Sequence, residues 1–328
     1  MTLPLISVII PTYNRATKVL TAIESVKKQS YPNVQLIVVD DGSTDNTREL
    51  LQNMEGLSYV YKPNGGQASA RNMGLELATG DFIASLDSDD YWGRDFLQKS
   101  LNALEHYQAD FVFANWNQKT KYTEDWRDFL SNDPYLTPFM REPINGWYQL
   151  SSDDLRTLYL QACPSPSSST VVRRKSLSGG WNSHMNIGDD WGLYLDMIFS
   201  KPCTAVFTLE RLWYKDIDGQ NIYDGRDWHE VVQLLLVKDT KLIIERYRQY
   251  LTVDEMNILQ KRYVGGLMEL AKHKLFRERK TVESWALFKT AMLNKPTYAI
   301  AQFPKLVYAA LNNHIIQRFR TKKKAVAI

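Results

Sequence analysis

The chain has 328 residues, 44% hydrophobic and 12% aromatic, ample for a sizeable folded core. Lys and Arg number 40 against 37 Asp and Glu, a net charge of +3, too balanced for the whole chain to read as a nucleic-acid binder. Two cysteines exclude a disulfide framework. No stretch approaches about 18 uninterrupted apolar residues, and the chain opens on LISVIIP without a basic leader, so a cytoplasmic setting with no spanning helix is expected.

In chain order, the runs LISVIIP, VQLIVVD, LSYVYK, DFIASLD and ADFVFAN are short, β-branched or aromatic, and bounded by turn formers, the pattern of buried strands. Helices are predicted between them near residues 15–29, 44–54, 67–79 and 93–107. This alternation implies an α/β fold with a mostly parallel sheet flanked by helices. Ligands in such sheets collect at the carboxyl ends of the strands. Two of those ends are acidic: LIVVDDGSTDNT runs into Asp40 and Asp41, and FIASLDSDDYW into Asp87, Asp89 and Asp90. From Asp125 to Ser152, Pro134, Pro138, Pro143 and Gly146 interrupt every period, and a long loop or lid is predicted. SSSTVVRR and TAVFTLERLWYKD are predicted strands, and GGWNSHMNIGDDW a loop leading into a helix. After Gly225 the apolar spacing becomes helical. The predicted domains are therefore 1–225 and an all-helical C-terminal extension, 226–328, suited to packing, assembly or membrane-surface association.

Asp87 and Asp89 are two apart, so an extended backbone points both side chains the same way. Like charges that close need a cation between them. Mg2+ or Mn2+ suits carboxylate oxygens and completes its shell with water and phosphate, so the expected ligand is a metal-diphosphate. In NGGQASARNMGLELATG, Gly65 and Gly66 turn the chain into a helix whose first face carries Ala68, Ser69 and Ala70, with Arg71 one turn in, where its fork of donors can reach an anion. Neither a dinucleotide fingerprint nor a P-loop occurs. The histidines lack ligand spacing, and His106, His229 and His273 read as surface residues of helices.

SVIIPTYNR, VVDDGSTDNT, NGGQASARNMGLELATGD, IASLDSDD and GGW…GDDWGLYL together resemble the family 2 glycosyltransferases, inverting enzymes of the Rossmann-like GT-A fold, over roughly residues 5 to 220. The resemblance implies that Pro11, Thr12 and Tyr13, with Arg15 nearby, wall a nucleotide pocket. It gives Asp40 the base-edge N–H and leaves Asp41 to brace the turn. Asn64, Arg71 and Ser88 fall among donor-binding positions. Asp87 faces the ribose and the waters of the metal, Asp89 ligates the metal directly, and Asp90 supports it. Where the family has Glu-Asp this chain has Asp189-Asp190; the resemblance assigns the catalytic base to Asp190, with Asp189 in reserve. Trp181 stands at the acceptor-side aromatic. Asp218 or Lys215 occupies the place of a further metal or diphosphate contact, often a His in relatives.

The implied activity is metal-dependent inverting transfer from a nucleotide-diphosphate sugar, UDP by family precedent, to a glycan or lipid-linked glycan in surface polysaccharide synthesis. The cofactor is Mn2+ or Mg2+. The alternative is an inactive GT-A-like nucleotide- or glycan-binding module; a nucleotidyltransferase would need a Gly-rich N-terminal loop that IIPTYNR does not supply. The segment ELAKHKLFRERKTVESWALFKTAMLNKP resembles one tetratricopeptide-like unit, a surface for homo-oligomer assembly. The last helix, from about Thr297 with Ile300, Phe303, Leu306, Val307, Leu311 and Ile315 followed by Arg318, Arg320 and Lys322 to Lys324, combines apolar and basic residues suited to peripheral contact with the inner face of a membrane.

Overall fold

The first apolar run becomes β1 (Ile6–Thr12), buried along its whole length, as a strand covered on both sheet faces must be. A computed structural model describes residues 3–120, 123–217, 226–302 and 304, in two units, Met1–Gly225 and Arg226–Ile328. In the first unit β1, α1 (Lys18–Lys27), β2 (Val34–Asp40), α2 (Thr47–Leu51), β3 (Ser58–Tyr61), α3 (Gln67–Leu77) and β4 (Phe82–Ser85) follow the predicted alternation. β1 pairs in parallel with β2 and β4, and β2 with β3. Gly74 lets α3 lie flat on β1: a Cβ there would stand 2.4 Å from Ile9 Cγ2.

The chain continues through β5 (Asp90–Trp92), α4 (Phe96–Tyr107), β6 (Phe111–Thr120), β7 (Thr123–Asp128), β8 (Trp147–Leu150), α5 (Ser152–Gln161), β9 (Thr170–Arg173), α6 (Asp189–Ser200) and β10 (Ala205–Ile217). The sheet order is β3-β2-β1-β4-β9-β6-β10-β5, with β7 on β6 and β8 on β10. β9 lies antiparallel between β4 and β6, while β10 runs parallel to β6 and antiparallel to β5 and β8. The strands β1 to β4, β6 and β10 thus share one direction, and β5, β7, β8 and β9 oppose them.

The long loop predicted over Asp125–Ser152 is interrupted by structure. Once Gly146 is passed, the β-forming Trp147 and Tyr148 begin β8, which pairs with β10 from Thr208 back to Ala205. α5 follows, its start fixed by a capping box in which the Ser151 and Asp154 side chains and backbones bond reciprocally.

The second unit contains α7 (Trp228–Val231), a π-helical stretch (Val232–Asp239), α8 (Thr240–Tyr247), α9 (Val253–Phe276) and α10 (Thr281–Asn294). α9 begins with a second capping box, Thr252 with Glu255. Its core joins Tyr263, Val264, Leu267 and Met268 of α9 to Ala291 and Ala299. His229 and His273, expected as ordinary surface residues, stack with ring centroids 3.5 Å apart. Among the described residues no helix is long and apolar enough to cross a membrane. Most of the expected basic last helix, and Asp218, lie outside the described residues.

Candidate active site

β2 delivers Asp40 and Asp41 to the carboxyl edge of the sheet, where both are absorbed by local structure. Asp40 is 0% exposed. Its Oδ1 accepts from the Ser43 N–H at 2.8 Å and its Oδ2 from the Tyr59 hydroxyl at 2.7 Å. Each oxygen of Asp40 thus has one protein donor, and through them the residue braces the turn to β3. Asp41 braces as expected. Its Oδ1 accepts from Lys62 Nζ at 2.6 Å and from the Gly65 N–H at 2.9 Å, and its Oδ2 from the Gly66 N–H at 2.7 Å. Asn64 closes the same loop by donating to the Asp41 carbonyl at 2.9 Å. Gly42, at φ +84°, is required here, because a Cβ would come within 2.8 Å of the Asn64 nitrogen.

The adjacent end of β1 supplies Thr12, whose buried Oγ1 has no hydrogen-bond partner, and then the exposed Tyr13. Pro11 lies within β1 opposite Val39, and Arg15 follows at the tip, half-buried.

The second acidic end is built differently. Single carboxylate oxygens of Asp87, Asp89 and Asp90 lie within 4.8 Å of one another. Asp90 is buried: its Oδ2 accepts from Ser168 Oγ at 2.6 Å, while its Oδ1 has no partner. Burial, and then the neighbouring Asp87, push the Asp89 carboxyl above the ordinary carboxylate range. Asp90 is pushed well above it by burial, against the pull of Lys215. Such a cluster costs free energy as it stands. Three carboxylates with an orphaned buried oxygen among them form a hard-oxygen donor set, and it fits Mg2+ or Mn2+. Ser88, between Asp87 and Asp89, is buried.

Arg71, expected to reach a bound anion, is 1% exposed and is taken up by the protein's own carboxylates. Its Nη2 donates to Asp87 Oδ1 at 2.6 Å, and its Nη1 to Asp189 Oδ2 at 2.6 Å and Asp190 Oδ1 at 3.0 Å. It is the junction that ties the acidic end of β4 to the start of α6. Gln67 Nε2 adds a bond to Asp87 Oδ1 at 3.0 Å. Burial pushes the Asp189 carboxyl up to about 6, against the opposing pull of Arg71.

Asp190 also accepts from the Ser167 N–H at 2.9 Å, from the Ser167 hydroxyl, and from the Trp181 indole N–H at 3.1 Å. Trp181 is 5% exposed, and Asn72 holds its backbone from both sides, at 2.7 and 2.8 Å. The ring is buried, with its N–H turned to Asp190. Sequence reasoning missed Gln67, Asn72, Ser167 and Ser168. The PSPSSST run carried one signal, several small hydroxyl side chains directly before a buried strand.

The chain matches the Glycosyl transferase family 2 model over residues 7–178, more than half its length. It is 42% identical over 119 residues to TuaG of Bacillus subtilis, a glycosyltransferase provisionally assigned to teichuronic acid biosynthesis, covering 35% of this chain and 47% of TuaG. It is 32% identical over 137 residues to the Escherichia coli UDP-Glc:alpha-D-GlcNAc-diphosphoundecaprenol beta-1,3-glucosyltransferase WfaP, covering 41% of this chain and 52% of WfaP. The chain thus spans about half the length of these curated relatives. Among solved structures, S. aureus TarS 1-349 in complex with UDP-GlcNAc superposes with a TM-score of 0.61 at 18% identity, over 98% of this chain and 91% of that one. The mannosyltransferase PcManGT from Pyrobaculum calidifontis, in complex with GDP-Man and Mn2+, gives 0.56 at 18% identity, over 95% and 88%. At that identity the likeness speaks for the fold, GT-A. By the family match and the strand-end motifs together, the chain belongs to glycosyltransferase family 2.

Proposed function

We propose that the chain is an inverting, metal-dependent glycosyltransferase that moves a sugar from a nucleotide-diphosphate sugar, UDP-linked, to a glycan or lipid-linked glycan in surface polysaccharide synthesis. The observation that carries this reading is the convergence on Arg71 of Asp87, from the acidic end of β4, and of Asp189 and Asp190, from the start of α6. A cation cluster and a candidate base from distant parts of the chain thereby meet at one place. The donors named for WfaP, UDP-Glc, and bound in TarS, UDP-GlcNAc, support UDP.

In this reading the acceptor hydroxyl attacks C1 of the sugar, the bond from C1 to the diphosphate oxygen breaks, and a carboxylate takes the hydroxyl proton. Asp190 is the base: its side chain is more exposed than that of Asp189, 20% against 11%, and hydrogen bonds on both oxygens fix its orientation. Asp189 is the reserve. Asp89 directly, Asp87 through water and Asp90 in support would hold a divalent cation, which when bound would neutralise charge building on the leaving diphosphate. Thr12 and Tyr13 line the donor side, with Asn64 on the loop that Asp41 braces. The reading places the protein at the inner face of the cell membrane. No acidic residue follows Glu283, while Lys289, Lys295, Lys305, Arg318, Arg320 and Lys322 to Lys324 do, a bias that favours an anionic surface.

The test is a panel of nucleotide sugars assayed with wild type and Asp190→Asn. UDP binding should be unchanged in the variant and transfer at saturating donor should fall by about 10^3-fold. Unchanged transfer would remove Asp190 as base. Wild type that binds UDP yet turns over no sugar nucleotide would favour the non-catalytic binding module instead.

A further inference from the structure

The turn Ser167–Ser169 lies just ahead of β9, and its three serines are each no more than 1% exposed. Burying hydroxyls costs free energy unless each finds a partner. Each here does, and two of the three reach the site. Ser167 gives Asp190 both of its donors, the backbone N–H to Oδ2 at 2.9 Å and the hydroxyl to Oδ1. Ser168 Oγ donates to Asp90 Oδ2 at 2.6 Å and accepts from the Asp87 N–H at 3.1 Å. Consecutive residues therefore grip the candidate base and the cation cluster.

The turn is itself anchored from three sides. Trp92 Nε1 donates to the Ser168 carbonyl at 2.7 Å, Ser169 Oγ to the Pro166 carbonyl at 2.7 Å, and Thr170 Oγ1 to the Ser167 carbonyl at 3.1 Å. Thr170 Oγ1 also meets the Tyr194 hydroxyl of α6 at 2.9 Å, so the turn is fixed to the helix that carries Asp190. Small apolar residues could make the same corner. Hydroxyls at these two positions add directional bonds to carboxylates, the kind of support that holds a reacting group in its productive orientation.

We infer that Ser167 and Ser168 are a positioning pair, Ser167 orienting Asp190 to accept the acceptor proton and Ser168 orienting Asp90 and the Asp87 backbone toward the cation. The inference rests on the transferase reading of the site. It separates two effects that a merely structural turn would move together. Ser167→Ala should lower kcat by about 10-fold to 100-fold with donor KM and Mn2+ affinity within about twofold of wild type. Ser168→Ala should weaken Mn2+ binding in the presence of UDP, read from the free-Mn2+ electron paramagnetic resonance signal, by about 10-fold, with kcat at saturating Mn2+ within about threefold.

Should Ser167→Ala fail to fold, Trp181→Phe removes the indole donor shared by Asp190 and Ser167 Oγ and should reproduce the kcat-only loss in smaller degree. Equal shifts of kcat and Mn2+ affinity in both serine variants would overturn the inference, as would Mn2+ binding unaltered in Ser168→Ala. Failure of the wild type to turn over any sugar nucleotide would count against the transferase reading alone, and the Mn2+ comparison would still decide the role of Ser168.

Discussion

Two strand ends in this protein carry nearly the same sequence pattern, an apolar run stopped by adjacent aspartates, and their surroundings give them opposite characters. After β2, Asp40 and Asp41 meet the donors of Ser43, Tyr59, Lys62, Gly65 and Gly66, and no oxygen of either is left over. After β4, Asp87, Asp89 and Asp90 crowd together with an orphaned buried oxygen and carboxyls at 89 and 90 shifted upward. The supply of donors separates a structural brace from a candidate cation site, since crowded carboxylates with an orphaned buried oxygen among them are tolerated where function holds them.

The contrast can be broken most forcefully at Asp89. Asp89→Asn should lower transfer by about 10^3-fold, while the urea midpoint holds or rises, because the substitution removes a charge that burial and Asp87 already disfavour. A fall in stability would mean that Asp89 is a brace like Asp41. Arg71→Met tests the junction: with Asp87, Asp189 and Asp190 stripped of their shared cation, the unfolding free energy should drop by about 3–5 kcal/mol, measured by urea denaturation. At the other strand end, Asp41→Ala should cost about 1–3 kcal/mol by stranding the Gly65 and Gly66 N–H groups, with amide hydrogen exchange at Gly65 and Gly66 accelerated.

The smallest expected effect is a pH dependence. The folded Asp189 carboxyl is raised from 3.8 to about 6 by burial, so the folded state holds a proton that the unfolded chain releases earlier. Stability from this residue is present at low pH and declines as pH rises between those two values. Asp189→Asn should therefore gain on wild type across that window in thermal melts. Parallel pH profiles of the two proteins would show that Asp189 does not titrate there.

Much of this contrast was legible in the sequence. The β-branched runs and the turn formers that bound them placed β1 to β4 and β6, and the spacing of Asp87 and Asp89 marked the cation cluster. The donors that hold Asp40 were not all legible, because Tyr59 lies 19 residues away and meets it only across the β2–β3 pairing. The ion pairs of Arg71 were hidden for the same reason: its partners Asp189 and Asp190 lie more than 100 residues downstream. β8 was hidden behind three prolines that break periodicity without forbidding a short strand after them. The Ser167–Ser168 turn left only a compositional trace, since hydroxyl side chains announce polarity and not their partners.

The account turns on the claim that the acids after β4 hold a divalent cation beside the base. Electron paramagnetic resonance of free Mn2+, titrated into protein with UDP, tests it most directly. Wild type should remove one Mn2+ per chain from solution and Asp89→Ala should leave it free. Equal uptake by the two proteins would contradict the account.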